Sequence, residues 1–395
     1  MKKIFSIILL SILYFNTFSQ SHFLAKTSGK LPSLLYGVGE DRLGGAKMTY
    51  IDTNVLLRVL DTTKPNACKV QLSSNRIAYI ERQYFTVDST LKEKPYYISS
   101  NFNVFGVDSI GYDIVTINLE EKLPYRSWMQ TEPNAIQLEI FGTQSNTNWI
   151  TQLTSSIQEI KNVYYNQTSE DVMQVTIELK HKHQWGYTIY YSNNQLILKV
   201  KHQPKNLEIK CLKIGIDAGH GGTNLGAVGA TTRILEKNYT LLFAQQLKEY
   251  LLSKGVDSVV MTREADTTLD MKDRIAYLQQ QKPDFVISFH LNSNSDKSIK
   301  GCGTFYRYIG FRPPSLTIIK RMQEIGLDEY GNVGNFNFGL NGPTDFVNTL
   351  LEVAFLSNKE DEKKLADPAF HKQTAEAVYK GIVDWLNLVK KDKVD

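Results

Sequence analysis

A change of pattern near residue 207 constrains this chain more than any other feature. Ahead of it, short apolar and polar alternations recur between tight turns, as in Val55-Leu-Leu-Arg-Val59, Ile136-Gln-Leu-Glu-Ile140, Met173-Gln-Val-Thr-Ile-Glu-Leu179 and Leu196-Ile-Leu-Lys-Val200. A period of two over such runs predicts β-strands, and their succession without helices predicts all-β domains. Behind it, apolar runs at 212–217, 256–261, 284–289, 303–308 and 350–355 alternate with helical patterns at 235–254, 270–281 and 315–327 and a closing helix to about 389. In the first of these helices Tyr239, Leu242, Phe243, Leu247, Tyr250 and Leu251 share one face, and Gly255 stops it. Alternation of this kind predicts an α/β domain with a largely parallel sheet. The expected fold is therefore multidomain, with N-terminal all-β domains followed by a C-terminal α/β domain. A length of 395 residues, more than one hydrophobic core normally fills, agrees with that division.

The start of the chain has a different logic. Met1-Lys-Lys3, an apolar run from Ile4 to Phe15, and Thr17-Phe18-Ser19-Gln20 have the three regions of a secretory signal peptide. The run is shorter than the roughly 20 apolar residues that cross a bilayer. The expectations are removal of residues 1–19, export to the periplasm or cell envelope, and no stable membrane insertion afterwards. The mature chain then divides into β domains at 21–90 and 95–205, a polar linker at His202-Gln-Pro-Lys-Asn206, and the α/β domain at 209–392. A formal net charge of +4, from 45 basic and 41 acidic residues, gives no electrostatic case for a nucleic-acid partner. Cys68, Cys211 and Cys302 are too few and too widely spaced for a disulfide framework. Buried free thiols are expected, with a single Cys211–Cys302 bridge as the alternative.

Four residues in the α/β region carry chemistry. Ligand sites in open α/β sheets gather at the carboxyl ends of the strands. His220 follows the first strand in Asp217-Ala-Gly-His-Gly-Gly222, Glu236 opens the next helix, and His290 ends the strand Phe285-Val-Ile-Ser-Phe289. Glu352 lies inside Leu350-Leu-Glu-Val-Ala-Phe355, where a carboxylate is costly unless paired, coordinating or protonated. Singly, the histidines read as turn residues and Glu236 as a helix-dipole partner. Together, two histidines and a carboxylate are a catalytic zinc set with an open position for water, and a carboxylate in an apolar wall is a suitable base.

At these residues a resemblance becomes specific. Ile216-Asp-Ala-Gly-His-Gly-Gly222, Leu235-Glu-Lys237, Thr262-Arg-Glu-Ala-Asp266, Ser288-Phe-His-Leu-Asn292 and Leu351-Glu-Val-Ala-Phe-Leu-Ser-Asn358 resemble, in order, the zinc N-acetylmuramoyl-L-alanine amidases. The resemblance spans residues 209 to 390. It implies peptidoglycan as substrate and Zn2+ as cofactor, with cleavage of the amide between the lactyl group of N-acetylmuramic acid and L-alanine of the stem peptide. It further implies His220, Glu236 and His290 as metal ligands and Glu352 as the catalytic glutamate. Arg263, Asp266 and Arg274 match family positions too but read as paired structural charges, while Asp217 and Asn292 stand as orienting residues. Within 21–90, Lys69-Val-Gln-Leu-Ser73 and Ala78-Tyr-Ile80 resemble bacterial SH3-like domains. Residues 95–205, with their Trp185-Gly-Tyr187 turn, resemble the β-sandwich targeting domains of periplasmic amidases, which implies envelope or division-site activator proteins as partners.

Departures from the family lie between His290 and Glu352. Val333-Gly-Asn-Phe-Asn-Phe338 and Asn341-Gly-Pro343 replace an expected Arg-Gly pair, and the stretch is too short for the inhibitory helix of division amidases. An active site that is open or controlled elsewhere is therefore expected. Two rival readings are a zinc peptidase cutting within the stem peptide and a non-catalytic wall-binding protein. His181 and His183 read as part of a solvated basic turn.

Overall fold

The computed structural model describes residues 22–37, 47–61 and 66–392, so the expected signal peptide at 1–19 lies outside the described residues. No helix among them is long and apolar enough to cross a membrane. Among the described residues from Phe23 to Lys201 every regular element except two single 3-10 turns is a strand. Seven antiparallel strands between Phe23 and Val87 form one sheet. The next stretch builds two more sheets, one of four strands from Tyr125–Thr131, Asn134–Phe141, Val172–Leu179 and Ile160–Ser169, and one around Tyr97–Val107, Tyr112–Leu119, Gln195–Lys201 and Tyr187–Ser192. Alternate residues of both sheets, such as Val104, Val115, Ile117, Leu138, Val175 and Leu198, are buried in a shared core. This is the burial that a period of two predicts.

The C-terminal part is an α/β domain. Its strands are β1 (Ile214–Ala218), β2 (Val259–Met261), β3 (Phe285–Asn292), β4 (Cys302–Phe305), β5 (Glu329–Val333) and β6 (Val347–Phe355), in the spatial order β2-β1-β3-β6-β4-β5. The helices are α1 (Glu236–Ser253), α2 (Met271–Gln281), α3 (Arg312–Glu324), α4 (Lys359–Leu365) and α5 (Pro368–Lys391). The sheet is mixed: all neighbours are parallel except β4 and β6. The reason is the connection. A parallel return needs a crossover of a dozen or more residues, and only the loop 293–301 joins β3 to β4, so the chain comes back antiparallel.

Several expected elements move for identifiable reasons. α3 begins at Arg312 because Pro313 and Pro314 suit a first helical turn, where no backbone N–H is needed. The closing helix is two helices: Asp367 caps α5 by accepting from Ala369 N, and Pro368 starts it, which ends α4 just before. Strand β5 was not expected, since Glu-Tyr-Gly-Asn-Val is a polar edge strand with no buried residue. The cysteines are free, but only Cys68 and Cys302 are buried; Cys211 is exposed.

The β-rich part packs directly on the α/β domain. Trp185 and Trp385, both buried, meet with ring centroids 5.0 Å apart. Tyr187 N donates to Thr344 O and Thr344 Oγ1 donates to Tyr187 O, each at 2.7 Å. Lys30 pairs with Asp273, and the Lys272 ammonium lies 3.5 Å from the Tyr84 ring centroid. His183 is buried against Asp392 at 3.0 Å, and His181 faces Glu159 at 2.8 Å. The expected solvated basic turn is therefore part of a domain junction.

Candidate active site

The glycine-rich turn after β1 delivers the first histidine. His220 has a left-handed backbone (φ 60), followed by Gly221 (φ 127) and Gly222 (φ 58). A non-glycine residue in that region is strained by about 1–2 kcal/mol, and the turn is held by two buried arginines. Arg263 donates to the carbonyls of Ala218 and Gly219, both at 2.9 Å, and to Lys237 O at 2.7 Å. Arg274 donates to Asp217 Oδ1 at 2.8 Å, to Ala218 O at 2.6 Å and to His220 O. Asp217 is fully buried and also accepts from Thr262 and Ser288 hydroxyls at 2.6 Å. Burial pushes its carboxyl up, but Arg274 and these hydroxyls outweigh that and hold it below its ordinary value. Asp266 accepts from Lys237 Nζ at 2.6 Å and from Gly222 N at 2.7 Å. Thus Asp217, Arg263, Asp266 and Arg274 brace the turn. Asn292 lies at the end of β3, where its Oδ1 accepts from Ser293 N.

Glu236 opens α1 and reaches across to β3. Its Oε1 lies 2.9 Å from His220 Nε2 and 3.1 Å from His290 Nδ1, and accepts from Leu291 N at 3.0 Å. Its Oε2 accepts from Ala227 N at 2.7 Å. Burial raises the Glu236 carboxyl, yet the two imidazoles more than reverse this and hold it far below the carboxylate range. One ligand atom from each of His220, Glu236 and His290 lies within 4.8 Å of the others. Donors about 2.0–2.2 Å from a tetrahedral ion lie about 3.4 Å apart, a few tenths of an ångström more than the two separations between Glu236 and the histidines. His220 Nδ1 donates to Asn224 Oδ1 at 2.9 Å, which leaves Nε2 with the lone pair a metal requires.

Glu352 stands beside this set. In the parallel register of β3 and β6 it is the partner of His290, which puts both side chains on the same face. It is buried, and its Oε2 has no hydrogen-bond partner. Burial, reinforced by the negative charge of Glu236, pushes its carboxyl well above the usual range. All four residues expected from the sequence are thus brought to one edge of the sheet.

Other contributors were not anticipated. Asn224 sits four positions after His220 in the same polar turn, which was the only available hint. Gly219 and Gly226 make room for His290 and Glu236: a Cβ on Gly219 would lie 2.4 Å from His290 Cε1, and one on Gly226 2.5 Å from Glu236 Oε2. Phe338 stacks on His290, with ring centroids 6.1 Å apart and planes 5° from parallel, and packs with Phe305 and Phe336 into an aromatic wall. α3, the one long helix between His290 and Glu352, packs against α5 and β4.

Similarity to known proteins falls on this same region. The N-acetylmuramoyl-L-alanine amidase model matches residues 214–384, and the AMIN domain model matches residues 107–202. A germination-specific N-acetylmuramoyl-L-alanine amidase of Bacillus subtilis is 29% identical over 212 residues, which are 49% of this chain and 85% of the relative. An endolysin of Bacillus phage SPP1 is 30% identical over 188 residues, covering 45% of this chain and 67% of the relative. The chain belongs to the N-acetylmuramoyl-L-alanine amidase family. It is an amidase that hydrolyses peptidoglycan of the bacterial cell wall. Among solved structures, the catalytic domain of the amidase CwlV from Bacillus (Paenibacillus) polymyxa var. colistinus is 30% identical, with a TM-score of 0.43 over 45% of this chain and 98% of that one.

Proposed function

We propose that His220, Glu236 and His290 hold a zinc ion and that Glu352 is the general base for hydrolysis of the bond between the lactyl group of N-acetylmuramic acid and L-alanine. The observation that carries this reading is the convergence of His220 Nε2, Glu236 Oε1 and His290 Nδ1 beside a buried carboxylate that has an unpartnered oxygen. When bound, zinc supplies a Lewis acid that polarises the amide carbonyl and makes a nearby water more acidic. Asn224 holds the His220 tautomer, and Arg263 and Arg274 hold its turn. Glu352, with its affinity for a proton raised by burial, takes one from the attacking water and delivers it to the leaving amine. Phe338 and its aromatic neighbours limit water on one side of His290.

The same proposal covers the remaining organisation. Residues 1–19 act as a signal peptide removed on export to the periplasm or envelope. Residues 21–90 form an SH3-like unit and residues 95–205 a β-sandwich that targets the catalytic domain, 209–392, to wall or division-site partners. The separate seven-stranded sheet of the first unit and the two further sheets of the second support this division.

The test is digestion of purified wall by the full chain. Peptides beginning with L-alanine and glycans without peptide are expected, with activity lost on chelation and restored by zinc. Products cut within the stem peptide would support a peptidase instead, and activity indifferent to chelation would remove the metal.

A further inference from the structure

The loop that lays Phe338 on His290 has a second side. Asn335 and Asn337, which flank Phe336 in that loop, line a cavity of about 230 Å³. Its other walls come from both β-rich units and from the chain after β4, through Tyr36, Lys47, Trp128 and Arg307 among others. Among the described residues no acidic one lines it. Arg307 spans the junction: Nη2 donates to Lys47 O at 2.8 Å and Met48 O at 2.7 Å, and Nη1 donates to Asn337 Oδ1 at 3.1 Å. The Lys47 ammonium bonds the Tyr50 hydroxyl and lies 4.1 Å from the centroid of that ring.

Two cations therefore meet in one cavity, and among the described residues their partners are carbonyls, an amide, a hydroxyl and aromatic rings, not carboxylates. Burial, then Arg307 and Lys272, outweigh the opposing charge of Glu81 and lower the Lys47 ammonium to about 8. An anion placed there would relieve that repulsion and gain charge-assisted hydrogen bonds. Half-buried Trp128 adds an aromatic face, and Asn335 adds an amide. The substrate of an amidase continues past the reacting bond, and its charged part is the stem peptide, whereas the sugar backbone supplies hydroxyl and acetamido groups.

We propose that this cavity is a subsite for a stem-peptide carboxylate, built jointly by the β-rich units and the catalytic domain. The inference rests on the amidase reading and extends it, because substrate recognition then includes residues far outside the α/β domain. Arg307 holds the wall in place, and Lys47 meets the anion.

The experiment uses the full chain, with a soluble muramoyl peptide bearing free carboxylates and the same compound with those carboxylates amidated. Wild type is expected to show a KM about five- to tenfold lower for the acidic compound, a charge-assisted contact of about 1 kcal/mol, with kcat unchanged. Lys47→Gln should raise KM for the acidic compound to that of the amidated one and leave the amidated one unaffected. A second reading needs no turnover: an acidic stem-type peptide without sugar, titrated against the full chain, should change tryptophan fluorescence, and the change should vanish in Trp128→Phe and in Lys47→Gln. Equal KM increases on both compounds, a loss of kcat alone, or undiminished peptide binding by Lys47→Gln would overturn the proposal. Failure of wild type to cleave either compound would count against the amidase reading, and the titration would still decide the subsite.

Discussion

Gly226 offers the sharpest test of the metal set, because it lies against two proposed ligands at once without being one. A Cβ there would lie 2.5 Å from Glu236 Oε2, 2.7 Å from Glu236 Cβ and 2.8 Å from His220 Cδ2, all below the 3.0 Å that real Cβ contacts essentially never cross. Neither neighbour can yield cheaply, since Ala227 N holds Glu236 Oε2 at 2.7 Å and Asn224 holds the His220 ring at 2.9 Å. The backbone at Gly226 (φ +67) also costs an L-residue about 1–2 kcal/mol. Gly255 (φ +76) separates these effects, because nothing lies within 4 Å of a Cβ placed there. Gly255→Ala should therefore lose the backbone term alone. Gly226→Ala should lose that term and also displace Glu236 and His220, an alteration next to ligands that lowers metal affinity about 10–100-fold, or about 1.4–2.8 kcal/mol. Zinc competition against a chromophoric chelator measures the affinity, and thermal unfolding without metal measures the strain in both variants. The expected pattern is weaker zinc binding and lower turnover in Gly226→Ala, with wild-type zinc binding in Gly255→Ala. Unchanged zinc affinity in a folded Gly226→Ala protein would refute the assignment of Glu236 and His220 as ligands.

Three further predictions follow from single contacts. Glu352→Gln keeps the shape of the side chain and removes the base, so turnover on purified wall should fall about 10²–10⁴-fold with zinc content unchanged by elemental analysis; wild-type turnover would take Glu352 out of the mechanism. Arg274→Met strands the buried Asp217 carboxylate and should cost about 3–5 kcal/mol in denaturant unfolding, the usual penalty for breaking a buried pair. Burial raises the Asp113 carboxyl, but His202 at 2.7 Å and the N–H groups of Ile160, Gln158 and Glu159 outweigh it and hold it below its ordinary value. A depressed folded pKa contributes stability that is complete above the unfolded value of about 3.9 and is lost as pH falls through the folded value. The stability gap between wild type and Asp113→Asn should thus be constant near neutrality and narrow below about pH 4; a gap that widens with acid would contradict the contact.

How much of this was legible in the sequence depends on the range of the interactions involved. His220, Glu236, His290 and Glu352 were readable because each sits at a position fixed by local rules: a glycine turn after a strand, a first helical turn, a strand end, and a carboxylate that an apolar strand must explain. The α/β and all-β regions were readable for the same reason, since burial on one face imposes a period on the residues themselves. The reversed strand β4 was concealed, because its direction follows from the length of the loop 293–301 and not from its own residues. Arg307 was concealed more deeply. Nothing around it announces a partner, yet its guanidinium joins the Lys47 and Met48 carbonyls, some 260 positions earlier, to Asn337. Asn337 in turn lies beside the Phe338 that stacks on His290. The Val333-Gly-Asn-Phe-Asn-Phe338 stretch looked only like a departure from the family. Its Phe338 meets the catalytic side and its Asn337 meets Arg307, which reaches the first β-rich unit, so the departure lies where the two regions of the chain join. Under the proposed subsite, a change at Arg307 should be felt in KM before it is felt in kcat.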